Sequence, residues 1–232
     1  MTENPSPGTA FKRKALPAYL VLDTSGSMEP YEALLNKTLL SIYDTLYVSP
    51  QVSEFVHLSV LSFSTMPHLV TPMTDIEDLE SLPSVSCSGL TNFGPMFDLL
   101  RERIESDLLM LRDAGAQVVR PVVFLLTDGI PTDEPDDAWL TDYQELRDPS
   151  WKPRPQFITY GFGQASEAVL KRISTAAAYL AEDASEEATA AALTGALTSM
   201  LNSLVASAKS RRLEIPQAVK GYRSVPLDDV EF

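Results

Sequence analysis

The chain reads as an α/β protein, with a doubly wound, Rossmann-like, mostly parallel central sheet carrying helices on both faces. Three observations predict this. Two runs of strand length, Ala18–Leu22 and Pro121–Leu126, are wholly apolar, as strands covered on both faces must be. Both runs lead directly into an aspartate, Asp23 after the first and Asp128 just past the second. Around them, segments of strand length alternate with segments of 3.6-residue apolar period, the pattern of parallel strands joined by helical crossovers.

The elements follow in order. Residues 1–15 include Pro5 and Pro7 and show no period, so they are expected to form a flexible arm ahead of a domain spanning 16–212. After the Ala18–Leu22 strand, Pro30 stands where a helix would start. Leu35, Leu39, Ile42 and Leu46 then recur at helical spacing until Pro50. His57–Phe63 alternates as a strand, His68–Thr71 is a weaker edge partner, and Asp75–Leu82 reads as a turn or short helix. From Asn92, the residues Phe93, Phe97, Leu100, Ile104, Leu108 and Leu111 keep one apolar helical face as far as Gly115.

After the second apolar run, residues 131–155 are rich in Pro and Asp, with a helix predicted over Ala138–Arg147. Gln156–Phe162 is a strand closed by the turn residues Gly161 and Gly163; Glu167–Ile173 is a short helix and Ala178–Leu180 a last strand. Ser185–Arg212 is a long Ala/Leu helix. Acids at its start and Lys209, Arg211 and Arg212 at its end complement the helix dipole. Residues 213–232, with two prolines and an acidic finish, read as a docking segment or a tail.

Composition narrows the function. The 232 residues carry 32 acidic and 18 basic side chains, a formal net charge of −14, which opposes binding to a nucleic-acid polyanion. Apolar residues make up 44%, enough for a sizeable core. No run matches the roughly 18 consecutive apolar residues of a membrane span, and no apolar signal region precedes Asp23. The single cysteine, Cys87, excludes an internal disulfide and a Cys-rich zinc site. A cytoplasmic protein without membrane partners is expected.

In open parallel sheets the ligand crevice lies beyond the carboxyl ends of the strands, where both Asp23 and Asp128 fall. Asp23, Ser25 and Ser27 place three side-chain oxygens at alternate positions of one loop, with Gly26 allowing it to curve. A carboxylate with two hydroxyls is a hard-oxygen set suited to Mg²⁺. Asp128 can supply further negative charge, and Thr91, heading a helix, another hydroxyl. Taken singly, each residue type is equally at home as a helix cap or a turn.

Asp23-x-Ser25-x-Ser27, then Thr91, then Asp128 in Leu126-Thr127-Asp128-Gly129 resembles the metal-ion-dependent adhesion site of von Willebrand factor A domains, integrin I domains among them. The resemblance covers roughly residues 16–212, and all five positions conform. Within the family, the stretch Leu125–Asp133 (LLTDGIPTD) is most similar to bacterial TerY-like proteins of tellurium-resistance and stress-response clusters.

The resemblance implies that Ser25 and Ser27 coordinate Mg²⁺, or another divalent ion such as Mn²⁺, through their hydroxyls. Thr91 would bind directly or through water, and Asp23 and Asp128 mainly through bridging waters. The remaining position would take an Asp or Glu carboxylate from a partner protein. It further implies kinase or phosphatase partners, and a last helix whose displacement follows the metal state. That reading makes the chain a binding module rather than an enzyme.

Other functions fit less well. A Mg²⁺-dependent phosphatase of the haloacid-dehalogenase type needs a second aspartate two residues after the first, and Ser25 stands there. An assembly subunit acting beside an ATPase also fits the domain. No serine-hydrolase elbow or phosphate-binding loop is present, and His57 and His68 lie in strand patterns or next to them. Between Asp128 and Asp148 eight acids face one arginine, which reads as a solvated loop, a second cation site, or a rim that selects basic partners. The partner is accordingly expected to set its carboxylate in a neutral or basic surround.

Overall fold

The computed structural model describes residues 13–73 and 84–227; the turn or helix expected at Asp75–Leu82, residues 1–12 of the arm expected over 1–15 and the last five residues lie outside them, whereas Lys14 and Ala15 of that arm are paired in the first strand instead. Eight strands form one sheet: β1 (Lys14–Asp23), β2 (Val56–Phe63), β3 (Pro67–Thr71), β4 (Gln117–Val118), β5 (Val122–Thr127), β6 (Gln156–Gly161), β7 (Ala177–Ala181) and β8 (Tyr222–Ser224). Their order across the sheet is β3-β2-β1-β5-β6-β7-β8, with β4 pairing the start of β1. All pairs are parallel except those of the edge strands β3 and β8.

The helices are α1 (Glu32–Tyr47), α2 (Pro50–Ser53), α3 (Gly94–Asp113), α4 (Trp139–Arg147), α5 (Glu167–Ile173) and α6 (Glu186–Ser210). The predicted doubly wound α/β fold is the one observed. Apart from Lys14 and His57 the central strands are buried, yet their side chains still alternate between the two faces. Leu16, Ala18, Leu20 and Leu22 of β1 join a core with α1 and α6, whereas Ala15, Tyr19 and Val21 join the core under α3 and α4. The second core is strongly aromatic: Phe93 packs edge-on against Phe63 and Trp139, and Phe97 against Phe157.

Several boundaries differ from the periodicity, each for a local reason. A 3₁₀ turn at Gly26–Tyr31 precedes α1, so Pro30 lies inside that turn rather than at the helix start. Pro50 opens the short helix α2 as its first residue, where a missing N–H costs nothing. Pro17 is tolerated inside β1 because it falls between the stretch paired with β4 and the stretch paired with β5. On α3, Asp107 interrupts the apolar face; it is buried, accepting hydrogen bonds from Tyr19 Oη and Arg103.

Residues after 212 were expected either to dock or to trail. Those described fold back along α6: Ser203 Oγ donates to the Glu214 carbonyl, Tyr179 Oη to that of Pro216 and Tyr222 Oη to that of Ala192. The short β8 then pairs antiparallel with β7. α6 itself starts on a Ser185 cap and turns its apolar stripe onto the sheet.

Candidate metal centre

Parallel register sets the site. Leu22 of β1 lies opposite Leu126 of β5, so the next positions, Asp23 and Thr127, emerge side by side at the carboxyl edge. Thr127 Oγ1 donates to Asp23 Oδ2 at 2.6 Å. The other oxygen, Asp23 Oδ1, accepts the Ser25 amide at 2.9 Å, which turns the loop after β1 back over the strand end. The Ser25 and Ser27 hydroxyls are 3.1 Å apart, and Ser27 donates to Asp128 Oδ1 at 2.9 Å.

Thr91 approaches from the loop before α3. A Cβ placed on Gly129 would lie 3.2 Å from Thr91 Oγ1 and 3.6 Å from Asp23 Oδ2, so the glycine lets the Asp128 loop close down on both side chains. The structure thus brings all five sequence-predicted residues to one point. Asp23, Ser25, Thr91 and Asp128 are buried, while Ser27 is exposed at the mouth.

Three loops converge there and are tied together. Thr24 N–H donates to the Phe63 carbonyl, Ser88 N–H to that of Thr24 and Gly26 N–H to that of Gly89. Gly89 has φ +83°, and a Cβ there would sit 2.5 Å from Thr65 Oγ1, so only glycine fits the crossing. The Thr91 amide donates to Thr132 Oγ1 and the Thr132 amide to the Thr91 carbonyl, both at 2.9 Å. Asp133 caps α3 with one oxygen on the Phe93 amide and the other on that of Gly94.

The electrostatics are those of a site lacking positive charge. Burial raises the pKa of Asp23, against the pull of its hydrogen bonds from Ser25 and Thr127. Burial and the charge of Asp23 together push Asp128 up to about 6. Cys87 is pushed up to about 12, first by burial and then by the negative charges of Glu32, Asp23 and Asp128. Among the described residues, neither Asp23 nor Asp128 has a Lys or Arg ion-pair partner.

A divalent cation would relieve that repulsion, and two carboxylates with three hydroxyls form a hard-oxygen donor set that fits one. The site does not belong to the His, Cys or carboxylate-cluster type: no group of three or more such residues able to hold a metal occurs among the described residues. In the acidic loop the charges are partly engaged, Asp133 by the α3 amides and Asp137 by Arg172 at 2.9 Å.

Thr127, Thr132, Asp133 and Gly89 were not singled out from the sequence. Thr127 follows the second apolar run as Asp23 follows the first, but only the register of β1 with β5 pairs the two. No local signal marks the other three, whose partners lie 24–41 residues away.

Comparison with known proteins follows the geometry. The von Willebrand factor type A domain model matches residues 19–196. No curated protein matches. Among solved structures, the pilus adhesin SpaC of Lactobacillus rhamnosus GG in its open conformation has a TM-score of 0.63 at 15% identity, over 83% of this chain and 30% of that one. Proximal thread matrix protein 1 from the mussel byssus has a TM-score of 0.57 at 17% identity, over 84% of this chain and 48% of that one. A second structure of that byssus protein, described with a zinc-occupied MIDAS motif, has a TM-score of 0.55 at 16% identity, over 84% and 49%. The chain spans less than half the length of each of these structures, and at such identities the likeness is one of fold. Domains of the family commonly serve as metal-dependent protein-interaction modules. The family match over most of the sheet, together with the fold, shows that this chain belongs to the von Willebrand factor type A domain family.

Proposed function

We propose that this chain is a Mg²⁺-dependent protein-interaction module that captures an Asp or Glu side chain of a partner protein. The observation that carries the reading is the convergence of Ser25, Ser27, Thr91, Asp23 and Asp128 at one strand edge, with both carboxylates buried and the charge of Asp23 raising the proton affinity of Asp128. Ser25, Ser27 and Thr91 would hold the ion through hydroxyl oxygens, and Asp23 and Asp128 would hold it chiefly through water. The ion supplies a positive centre on which an incoming carboxylate forms a charge-assisted contact.

The chain's own residues orient that centre. Thr127 and the Ser25 amide fix both oxygens of Asp23, leaving the carboxylate little freedom to rotate. Ser27, exposed at the mouth and bonded to Asp128, links the two strand-end loops. The Thr91–Thr132 pair holds the third loop against them. A binding role rather than an enzymatic one is supported by Ser25, whose hydroxyl stands where a phosphatase of the alternative type would keep its proton-transferring aspartate.

We further infer a cytoplasmic place in a bacterial stress-response or tellurium-resistance type system, with kinase or phosphatase partners. The phrase LLTDGIPTD, which runs from the end of β5 into the loop beyond, supports that finer reading. Calorimetry with Mg²⁺, Mn²⁺ and Zn²⁺ tests the centre, and affinity capture from the native organism with Mg²⁺ or EDTA tests the partner class. Metal binding lost in Asp23→Ala, with capture lost in EDTA, is the expected result. Phosphate-ester turnover abolished by Asp23→Ala but kept in Thr91→Ala would overturn it.

A further inference from the structure

Three large apolar side chains stand exposed in the loops at the metal edge: Met66 at 59%, Leu90 at 52% and Ile130 at 55%. Each belongs to a different loop. Leu90 precedes Thr91, Ile130 lies two residues after Asp128, and Met66 occupies the turn between β2 and β3, whose Phe63 is level with Asp23. Isolated exposed hydrophobic residues are ordinary on any surface. These three differ because their backbones are fixed around one point.

Leu90 N–H donates to Thr65 Oγ1 at 3.0 Å, the Asn92 amide group to the Thr65 carbonyl at 3.2 Å, and Ser64 N–H to the Met66 carbonyl at 3.2 Å. The Thr91–Thr132 pair ties the Leu90 loop to the Ile130 loop. A rim so held has little backbone left to order when a partner arrives. Two acids of the Ile130 loop are engaged elsewhere, Asp133 by the α3 amides and Asp137 by Arg172, while Glu134 and Asp136 stand exposed.

We infer that Met66, Leu90 and Ile130 select a partner segment in which the metal-seeking Asp or Glu is flanked in sequence by large apolar side chains. The inference rests on the metal-dependent reading above and names the partner that this reading leaves open. At the centre, a cation held by the strand-edge residues would meet one carboxylate. Around it, apolar flanks bury Leu90 and Ile130, whereas basic or polar flanks lose hydration for no return. The expected neutral or basic surround is thereby narrowed to an apolar one.

The test uses two sets of multivalently displayed peptides on a Ser/Gly background. One carries a single Asp or Glu flanked by Leu or Phe, the other a single Asp or Glu flanked by Ser or Lys. Retention on the full chain is measured in Mg²⁺ and in EDTA, alongside the Mg²⁺-induced rise in melting temperature. Wild type should prefer the apolar-flanked set by about tenfold or more. Leu90→Ser with Ile130→Ser should abolish the preference while keeping the metal-induced rise, since both residues are exposed and neither is a metal ligand. Equal retention of the two sets, retention of neither, or a preference that survives the double substitution overturns the inference. Absence of any metal-induced rise in wild type instead removes the metal-dependent reading beneath it, and the inference with it.

Discussion

Thr127 donates its hydroxyl hydrogen to Asp23 Oδ2 across 2.6 Å, although 104 residues separate the two in the chain. The contact exists because β1 and β5 are parallel neighbours in a register that places Leu22 beside Leu126. Thr127→Val keeps the shape and removes the donor. It should cost about 1–2 kcal/mol in urea unfolding, the usual loss when a buried acceptor goes unpaired. Mg²⁺ affinity by calorimetry should fall about tenfold, because Asp23 would be free to rotate. Unaltered affinity would show that Thr127 has no part in orienting the carboxylate.

Asp128 is a source of instability in the metal-free protein, since it is buried beside Asp23 with no cation between them. Asp128→Asn should therefore raise metal-free stability, by about 1–2 kcal/mol after allowance for solvent screening. The variant should gain nothing from Mg²⁺. Wild type at a hundredfold excess over the dissociation constant should gain about 2.7 kcal/mol. Calorimetric melting of both proteins with and without the ion measures the two effects together.

The same carboxylate sets a pH dependence. Burial and the charge of Asp23 push its pKa up to about 6 in the folded chain from the ordinary carboxylate value of 3.8, so the folded state holds the proton more tightly. Its stabilising contribution is fully present below about pH 3.8 and is lost as pH rises through about 6. In the absence of metal, wild type should match Asp128→Asn near pH 4 and fall behind it by pH 7. A constant difference between the two across that range would exclude Asp128 as its origin.

Asp133 binds no metal in this scheme, yet Asp133→Ala should weaken metal binding. Its two oxygens hold the Phe93 and Gly94 amides, just after Thr91. Loss of this cap should cost about 1–2 kcal/mol of stability. Asp133→Asn should restore part of both losses, as chemical unfolding and metal titration of the two variants will register.

The segment after α6 acts as a clasp on that helix through Glu214 and Tyr222, and on β7 through Pro216. Deleting residues from 213 onward should raise hydrogen exchange along α6 and lower the melting temperature. With the segment in place, these bonds should oppose the displacement of the last helix that the family resemblance implies, leaving α6 exchange the same with and without Mg²⁺. Faster exchange on metal addition would instead mean that the helix moves with the metal state.

Much of this architecture is written locally. The apolar runs that become β1 and β5, the helical period of α1 and α3, and the Ser185 start of α6 depend only on which faces a segment must bury. The five oxygen-bearing residues were legible for a related reason: Asp23, Ser25 and Ser27 share one loop, and Asp128 closes a strand of the same type. The Thr127 bond to Asp23, the Asp133 cap, the Gly89 crossing and the tying together of the loops that carry Met66, Leu90 and Ile130 belong to the tertiary structure alone. Periodicity tells each segment what to bury but carries no record of strand register, and it is register that fixes which loops meet beyond the strand ends.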